Sequence, residues 1–192
     1  MKLPAVGPRI PRRRSALWRW IGRTVLTLAR WRVEGDFPDI PRMVVAVAPH
    51  TSNWDFVLGA ATMFALDLRI SFIGKHTLFV WPFSAVLRWM GGIPVDRSAA
   101  HGVVGESVRA FAGTGAKLLV LAPEGTRRKV ERFKTGFLHI ALGAQVPLLL
   151  VSLDYAARCT RIGPVLEVGE DIEAERVRIE KFYAAVQGRN RP

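Results

Sequence analysis

One cysteine, Cys159, is all the thiol that this 192-residue chain contains. A lone thiol excludes an internal disulfide and a multi-cysteine metal site, so a reducing cytosol is the default compartment. Acidic side chains are absent from the first 32 residues. Long apolar runs are missing too. Arg19, Arg23 and Arg30 interrupt the N-terminal apolar stretch, so no run of about 18 uncharged apolar residues reads as a membrane span, and no signal-peptide core is evident. Three catalytic signatures are also lacking: a G-x-S-x-G nucleophile elbow, an H-E-x-x-H zinc helix and a Walker A loop. "GTGAKL" fails the dinucleotide fingerprint at its last glycine. Hydrolase, metalloprotease and nucleotide-driven readings thereby lose their usual support.

What is present is a 49% hydrophobic composition with a formal net charge of +12. The length and apolar content fit one domain with a real core. The charge implies an anionic partner: nucleic acid, an anionic membrane surface or a phosphorylated substrate. Against nucleic acid, the aromatics fall in strongly apolar stretches and no recognised binding motif accompanies them.

Nine basic residues (Lys2, Arg9, Arg12, Arg13, Arg14, Arg19, Arg23, Arg30 and Arg32) crowd the start of the chain. Within this region, "LWRWIGRTVLTLARW" reads as a helix over 17–31, with Leu17, Ile21, Val25 and Leu28 on one stripe and Trp18, Trp20 and Trp31 flanking it. Such a basic, tryptophan-bearing helix suits a lipid interface, where indoles settle at headgroup level. The alternative is a helix packed on the core with a solvated arginine face. The sequence therefore divides into a basic amphipathic membrane-interface segment, 1–35, and an α/β domain, 36–192. Peripheral attachment to the cytoplasmic face of a cell membrane is the expected location.

Beyond it, short apolar runs alternate with helical patterns. Strands are expected over 43–48, 70–74, 92–96, 117–122, 147–153 and 165–169, and helices over 53–67, 77–90, 101–112, 135–143 and 171–187. This predicts an α/β fold with a central, mostly parallel or mixed sheet flanked by helices. Open α/β sheets bind ligands beyond the carboxyl ends of their strands. His50, Lys75, Asp96, Arg97, Glu124 and Arg127 all follow such ends.

In "HTSNWD", Ser52 and Asp55 have the spacing of a capping box, and an aspartate in a first helical turn is favoured by the helix dipole. The same spacing lets Asp55 reach back to the His50 ring, fixing its tautomer while the other nitrogen takes a proton from a hydroxyl. The two readings are compatible. "LAPEGTRRKVERFKTG" is either a solvated turn or an anion-binding loop in which Arg127 and neighbouring cations hold a phosphate and Glu124 a hydroxyl or a cation. Arg97 in "GGIPVDRS" and Lys75 in "GKHTLF" are surface charges or further anion contacts. The apolar, aromatic residues from Leu78 to Trp89 read as core, lipid contact or acyl-tunnel lining.

Taken in order, these stretches resemble the glycerolipid acyltransferase family typified by 1-acylglycerol-3-phosphate acyltransferases. His50 to Asp55 looks like its H-x4-D motif, "GKHTLFVWPF" with "GGIPVDR" its second block, "PEGTRR" its third and "VPLLLVSLDY" its fourth. The resemblance implies His50 as general base with Asp55, acting on a glycerol-type hydroxyl that attacks an acyl thioester. It places Lys75, Arg97, Glu124, Gly125, Thr126 and Arg127 at the acceptor. No metal and no cofactor are implied; acyl-CoA or acyl carrier protein is a co-substrate. A different lipid acceptor such as a lyso-ornithine lipid, or a non-catalytic lipid- or nucleic-acid-binding basic domain, are the alternatives.

Overall fold

Five apolar strands side by side can be stable only if both faces of their sheet are covered, and helices among the described residues cover both. The computed structural model describes residues 2–95, 100–113, 115–126 and 130–190. Its strands are β1 (Arg32–Glu34), β2 (Arg42–Ala48), β3 (Ser71–Lys75), β4 (Gly92–Val95), β5 (Lys117–Leu121), β6 (Leu148–Asp154) and β7 (Cys159–Leu166), in spatial order β1-β7-β6-β2-β5-β3-β4. The five from β6 to β4 run parallel. β7 is antiparallel to β6, and β1 pairs parallel with β7. The expected α/β sheet is therefore mixed, with a parallel majority.

The helices are α1 (Ala16–Leu28), α2 (Asn53–Ala65), α3 (Phe83–Trp89), α4 (Ala100–Arg109), α5 (Gly136–Ala144) and α6 (Ile172–Tyr183). In β2 the side chains alternate with a period of two. Met43 and Val45 join a core with Leu26, Leu58 and Phe64 beneath α1 and α2. Val44, Ala46 and Ala48 join a second core with Phe137, Leu138, Ile140 and Ile179 beneath α5 and α6. Asn53 to Ala65 leaves β2 at its carboxyl end after only a short turn, so whatever begins α2 also sits on the rim of the sheet.

Two expectations need correction, and one strand was not expected. The helix expected over 77–90 is broken into a 3-10 turn, His76–Leu78, and α3. Pro82 is the reason: it has no N–H to donate and restricts the residue before it, so α3 starts after it. The strand expected over 165–169 spans Cys159–Leu166. Its start is hidden by Arg161, Gly163 and Pro164; the register jumps between Leu149 and Val151 opposite them, and a bulge is where a strand tolerates proline. β1, three residues long with two charged, gave no strand pattern at all.

The first 35 residues are woven into this body. Trp31 and Val33 are buried, and β1 extends the sheet. The inward line of α1 runs through half-buried Trp18 and buried Gly22 and Leu26, while Leu17 and Leu28 of the expected stripe are exposed. Gly22 sets this rotation, because a Cβ there would lie 2.5 Å from Ala65 N and 2.6 Å from Ala61 O of α2. No helix among the described residues is long and apolar enough to cross a membrane.

Gly22→Ala is expected to cost about 1–3 kcal/mol by forcing α1 and α2 apart. Gly59→Ala, in an α2 interior where an added Cβ meets nothing within 4 Å, should instead gain about 0.5–1 kcal/mol from lower unfolded-chain entropy. Urea unfolding midpoints read both, and equal effects at the two glycines would contradict the close approach of the helices.

Candidate active site

The chain leaves β2 at Ala48, and the next seven residues build a cluster at the carboxyl edge of the sheet. Ser52 caps α2, its Oγ accepting from Trp54 N at 3.1 Å. Asp55, in the first turn, folds back so that its Oδ2 accepts from Thr51 N at 2.6 Å and Ser52 N at 2.7 Å. The same oxygen lies 3.3 Å from His50 Nδ1. Capping and the approach to the His50 ring thus coexist in one carboxylate.

The other oxygen, Oδ1, accepts from the Tyr155 hydroxyl at 2.6 Å. Tyr155 follows β6, which pairs β2 on the side opposite β5. Burial works against the Asp55 charge, yet the hydrogen bonds from His50, Tyr155, Ser52 and Thr51 outweigh it and hold the carboxyl below the usual carboxylate range. The His50 side chain remains 27% exposed while that of Asp55 is 1% exposed. The imidazole is reachable; its carboxylate partner is not.

Glu124 fixes the His50 main chain. It follows β5 and is buried, and both of its oxygens accept from the His50 N–H, at 3.0 and 2.7 Å. Burial pushes its carboxyl up to about 7, opposed by the His50 contact. Gly125 next to it takes φ +64, a left-handed turn where glycine is favoured, with the Lys134 side chain lying over it. Lys134 N donates to Pro123 O at 3.0 Å and closes the base of the loop. Below the site, the Tyr183 hydroxyl lies 2.8 Å from Ala46 O and 3.2 Å from Val151 O, where α6 meets β2 and β6.

His50, Asp55 and Glu124 are therefore brought together, with Gly125 and Thr126 in the adjoining loop. Lys75 is exposed at the end of β3, on the same rim but two strands from β2, about 10 Å away by strand spacing. Asp96, Arg97 and Arg127 lie outside the described residues. Cys159 offers no alternative nucleophile: it is fully buried, and burial, with a hydrogen bond to Glu34, pushes its thiol up to about 11.

The role of Tyr155 and a segment over 187–190 were not anticipated. Tyr155 N donates to Gln187 O at 2.9 Å, Asn190 Nδ2 donates to Thr51 O at 2.7 Å, and the Arg189 guanidinium sits 4.9 Å from the Trp54 ring. This segment lies across the H-x4-D turn. No local pattern marked it, because its contacts reach residues 32 to 139 positions away in sequence.

Tyr155→Phe should cost about 1.5–3 kcal/mol in urea unfolding at pH 7, the worth of a hydrogen bond to a charged group. An unchanged midpoint would mean that Asp55 does not depend on the phenol. Glu124 carries a pH signature of opposite sense to Asp55. A carboxyl raised from its ordinary 4.5 to about 7 in the folded protein costs nothing below pH 4.5, and its ionisation removes stability as pH rises through that window. Glu124→Gln lacks this loss. Its stability relative to the parent should therefore climb between pH 4.5 and 7, by on the order of 2–3 kcal/mol; a pH-independent difference would refute the raised carboxyl.

The comparisons with known proteins converge on one family. The family model described as Acyltransferase matches residues 31–154. The 1-acyl-sn-glycerol-3-phosphate acyltransferase of Haemophilus influenzae is 30% identical over 143 residues, covering 69% of this chain and 58% of that protein. The enzyme of the same name from Escherichia coli is 32% identical over 114 residues, covering 56% of this chain and 45% of that protein. The chain thus spans about half the length of these curated relatives. The crystal structure of the 1-acyl-sn-glycerophosphate (LPA) acyltransferase PlsC from Thermotoga maritima shares the fold, with a TM-score of 0.60 at 21% identity over 90% of this chain and 80% of that one. The matched stretch holds His50, Asp55 and Glu124 and takes in well over half of the sequence, and this chain belongs to the acyltransferase family.

Proposed function

We propose that the protein is an O-acyltransferase that moves a fatty acyl group from an acyl thioester to the hydroxyl of a glycerol-phosphate or lysophospholipid-type acceptor. The observation that carries the proposal is the doubly held His50. Glu124 grips its main chain, and Asp55 faces its Nδ1 from a buried position. With Nδ1–H directed at the carboxylate, Nε2 keeps its lone pair and is the base. A glycerol-type acceptor fits the names of the relatives.

In the proposed reaction His50 Nε2 takes the proton of the acceptor hydroxyl as its oxygen attacks the thioester carbonyl. The new C–O bond forms, the C–S bond breaks, and the proton passes from His50 to the departing thiolate. The ester and a free thiol are the products. No acyl group is held on the protein, and the donor, acyl-CoA or acyl carrier protein, is a substrate, so no cofactor is needed. Asp55 stabilises the imidazolium formed midway. Arg97 and Arg127, with Lys75 and the Gly125–Thr126 turn, would hold the acceptor phosphate, as guanidinium geometry suits phosphate oxygens. An anionic membrane surface on the cytoplasmic side, where such acceptors reside, is the proposed place of work, in keeping with the +12 charge.

Release of free thiol from long-chain acyl-CoA or acyl-carrier protein, in anionic mixed micelles with and without lysophosphatidate, tests the proposal. Acceptor-dependent release should fall about 10²- to 10⁴-fold in His50→Ala. A folded His50→Ala protein with parental turnover would sink it.

A further inference from the structure

Helix α3 is apolar but only thinly covered. Its sequence is "FSAVLRW", yet none of its residues is buried, and the same is true of the 3-10 turn before it. Trp81 is 90% exposed and Phe83 64% exposed, and Leu78, Val80, Val86 and Trp89 are exposed with them. A contiguous apolar surface of this kind on a soluble domain marks a binding face.

The patch has a fixed seat. Trp89 packs at a tilt against Trp18 of α1, ring centroids 4.7 Å apart, and meets Phe64 of α2 at 6.0 Å, while the Arg13 guanidinium lies 4.4 Å from its ring. Phe79 packs over Gly74 of β3 and Gly92 of β4. The segment thus begins at the carboxyl end of β3, on the rim that carries His50, and α3 leads back to the start of β4, where Trp89 meets the far end of α2. The first turn of α2 adds Trp54, Phe56 and Val57, all exposed and next to the H-x4-D turn. Phe56 reaches this side through the Phe72 ring of β3 at 5.8 Å.

Charge decides what covers the patch. From residue 40 to residue 95 the only acids are Asp55 and Asp67, and both are buried. The exposed charges of that stretch, Arg69, Lys75 and Arg88, are all cationic. An apolar, tryptophan-rich surface on a stretch of chain whose exposed charges are all cationic complements anionic headgroups over hydrocarbon.

We propose that the segment Leu78 to Trp89, together with the first turn of α2, is the face by which the protein docks on an anionic lipid surface. It rests on the membrane-borne acceptor proposed above, and it assigns docking to this face rather than to α1, whose Trp18 and Leu26 are spent on internal packing. Docked in this way, the partly exposed His50 side chain lies toward the lipid, and an acceptor can present its hydroxyl without leaving the membrane.

The test is sedimentation with vesicles of phosphatidylglycerol and phosphatidylcholine, beside thiol release with a short-chain acceptor kept monomeric in solution. Trp81→Ser/Phe83→Ser should weaken vesicle partitioning at least tenfold and retain turnover of the monomeric acceptor. Leu17→Ser/Trp20→Ser, on the exposed side of α1, should change partitioning less than threefold. Parental partitioning of the Trp81/Phe83 pair, failure of the unaltered protein to bind the vesicles, or a solution dimer dissociated by that pair would each overturn the proposal. If the pair does not fold, hydrogen exchange of the unaltered protein with vesicles decides: protection centred on 76–89 supports the face, and protection confined to α1 overturns it. Vesicle binding without turnover of either acceptor would count against the acyl-transfer reading alone.

Discussion

A carboxylate removed from water must be matched by donors, and the Asp55 side chain is almost completely removed. Its partners come from three directions: the turn after β2, the His50 ring and the phenol that follows β6. None of these groups can shift without leaving the charge short of a donor. The end of β2, the start of α2 and the end of β6 are consequently held in one arrangement, and the imidazole is aimed by the same bonds that keep the helix capped. Glu124 completes this from the β5 side by holding the peptide from which the imidazole hangs.

Much of the fold was legible because the sheet has two covered faces. Continuous apolar runs such as "MVVAVA" and "PLLLVSL" read as strands with no polar side, and the two cores take alternate residues of each. Elements escaped detection where a local rule was overridden by a neighbour. β7 contains Gly163 because a Cβ there would strike Phe182 and Leu150 O, and it tolerates Pro164 beside a bulge. β1 is too short and too charged to show a period. The stripe of α1 was misplaced by one residue position because glycine carries no hydrophobicity, although Gly22 is where the closest packing occurs.

The site was legible in its residues more than in its wiring. His50 and Asp55 are close in sequence, so their pairing could be read from spacing. Glu124 was noticed in a loop with cations and expected to face the acceptor; its two oxygens turn inward to a peptide 74 residues earlier. Tyr155 stood at the edge of a quoted block without a role, and the 187–190 segment carried no pattern. Each acts through a contact that only the strand order β5-β2-β6 creates.

That order has a consequence for how the protein is made. β2 occupies the middle of the sheet, yet both of its neighbours are translated after it, as are Glu124, Tyr155 and Asn190, which hold the H-x4-D turn. The contacts that define the site are thus among the most distant in the chain, and such closures come late in folding. While the ribosome is still extending the chain, the nascent His50 has neither its peptide clamp nor the full partner set of Asp55. Its apolar strand is meanwhile open on both edges, and stays a template for wrong pairing until β5 and β6 follow.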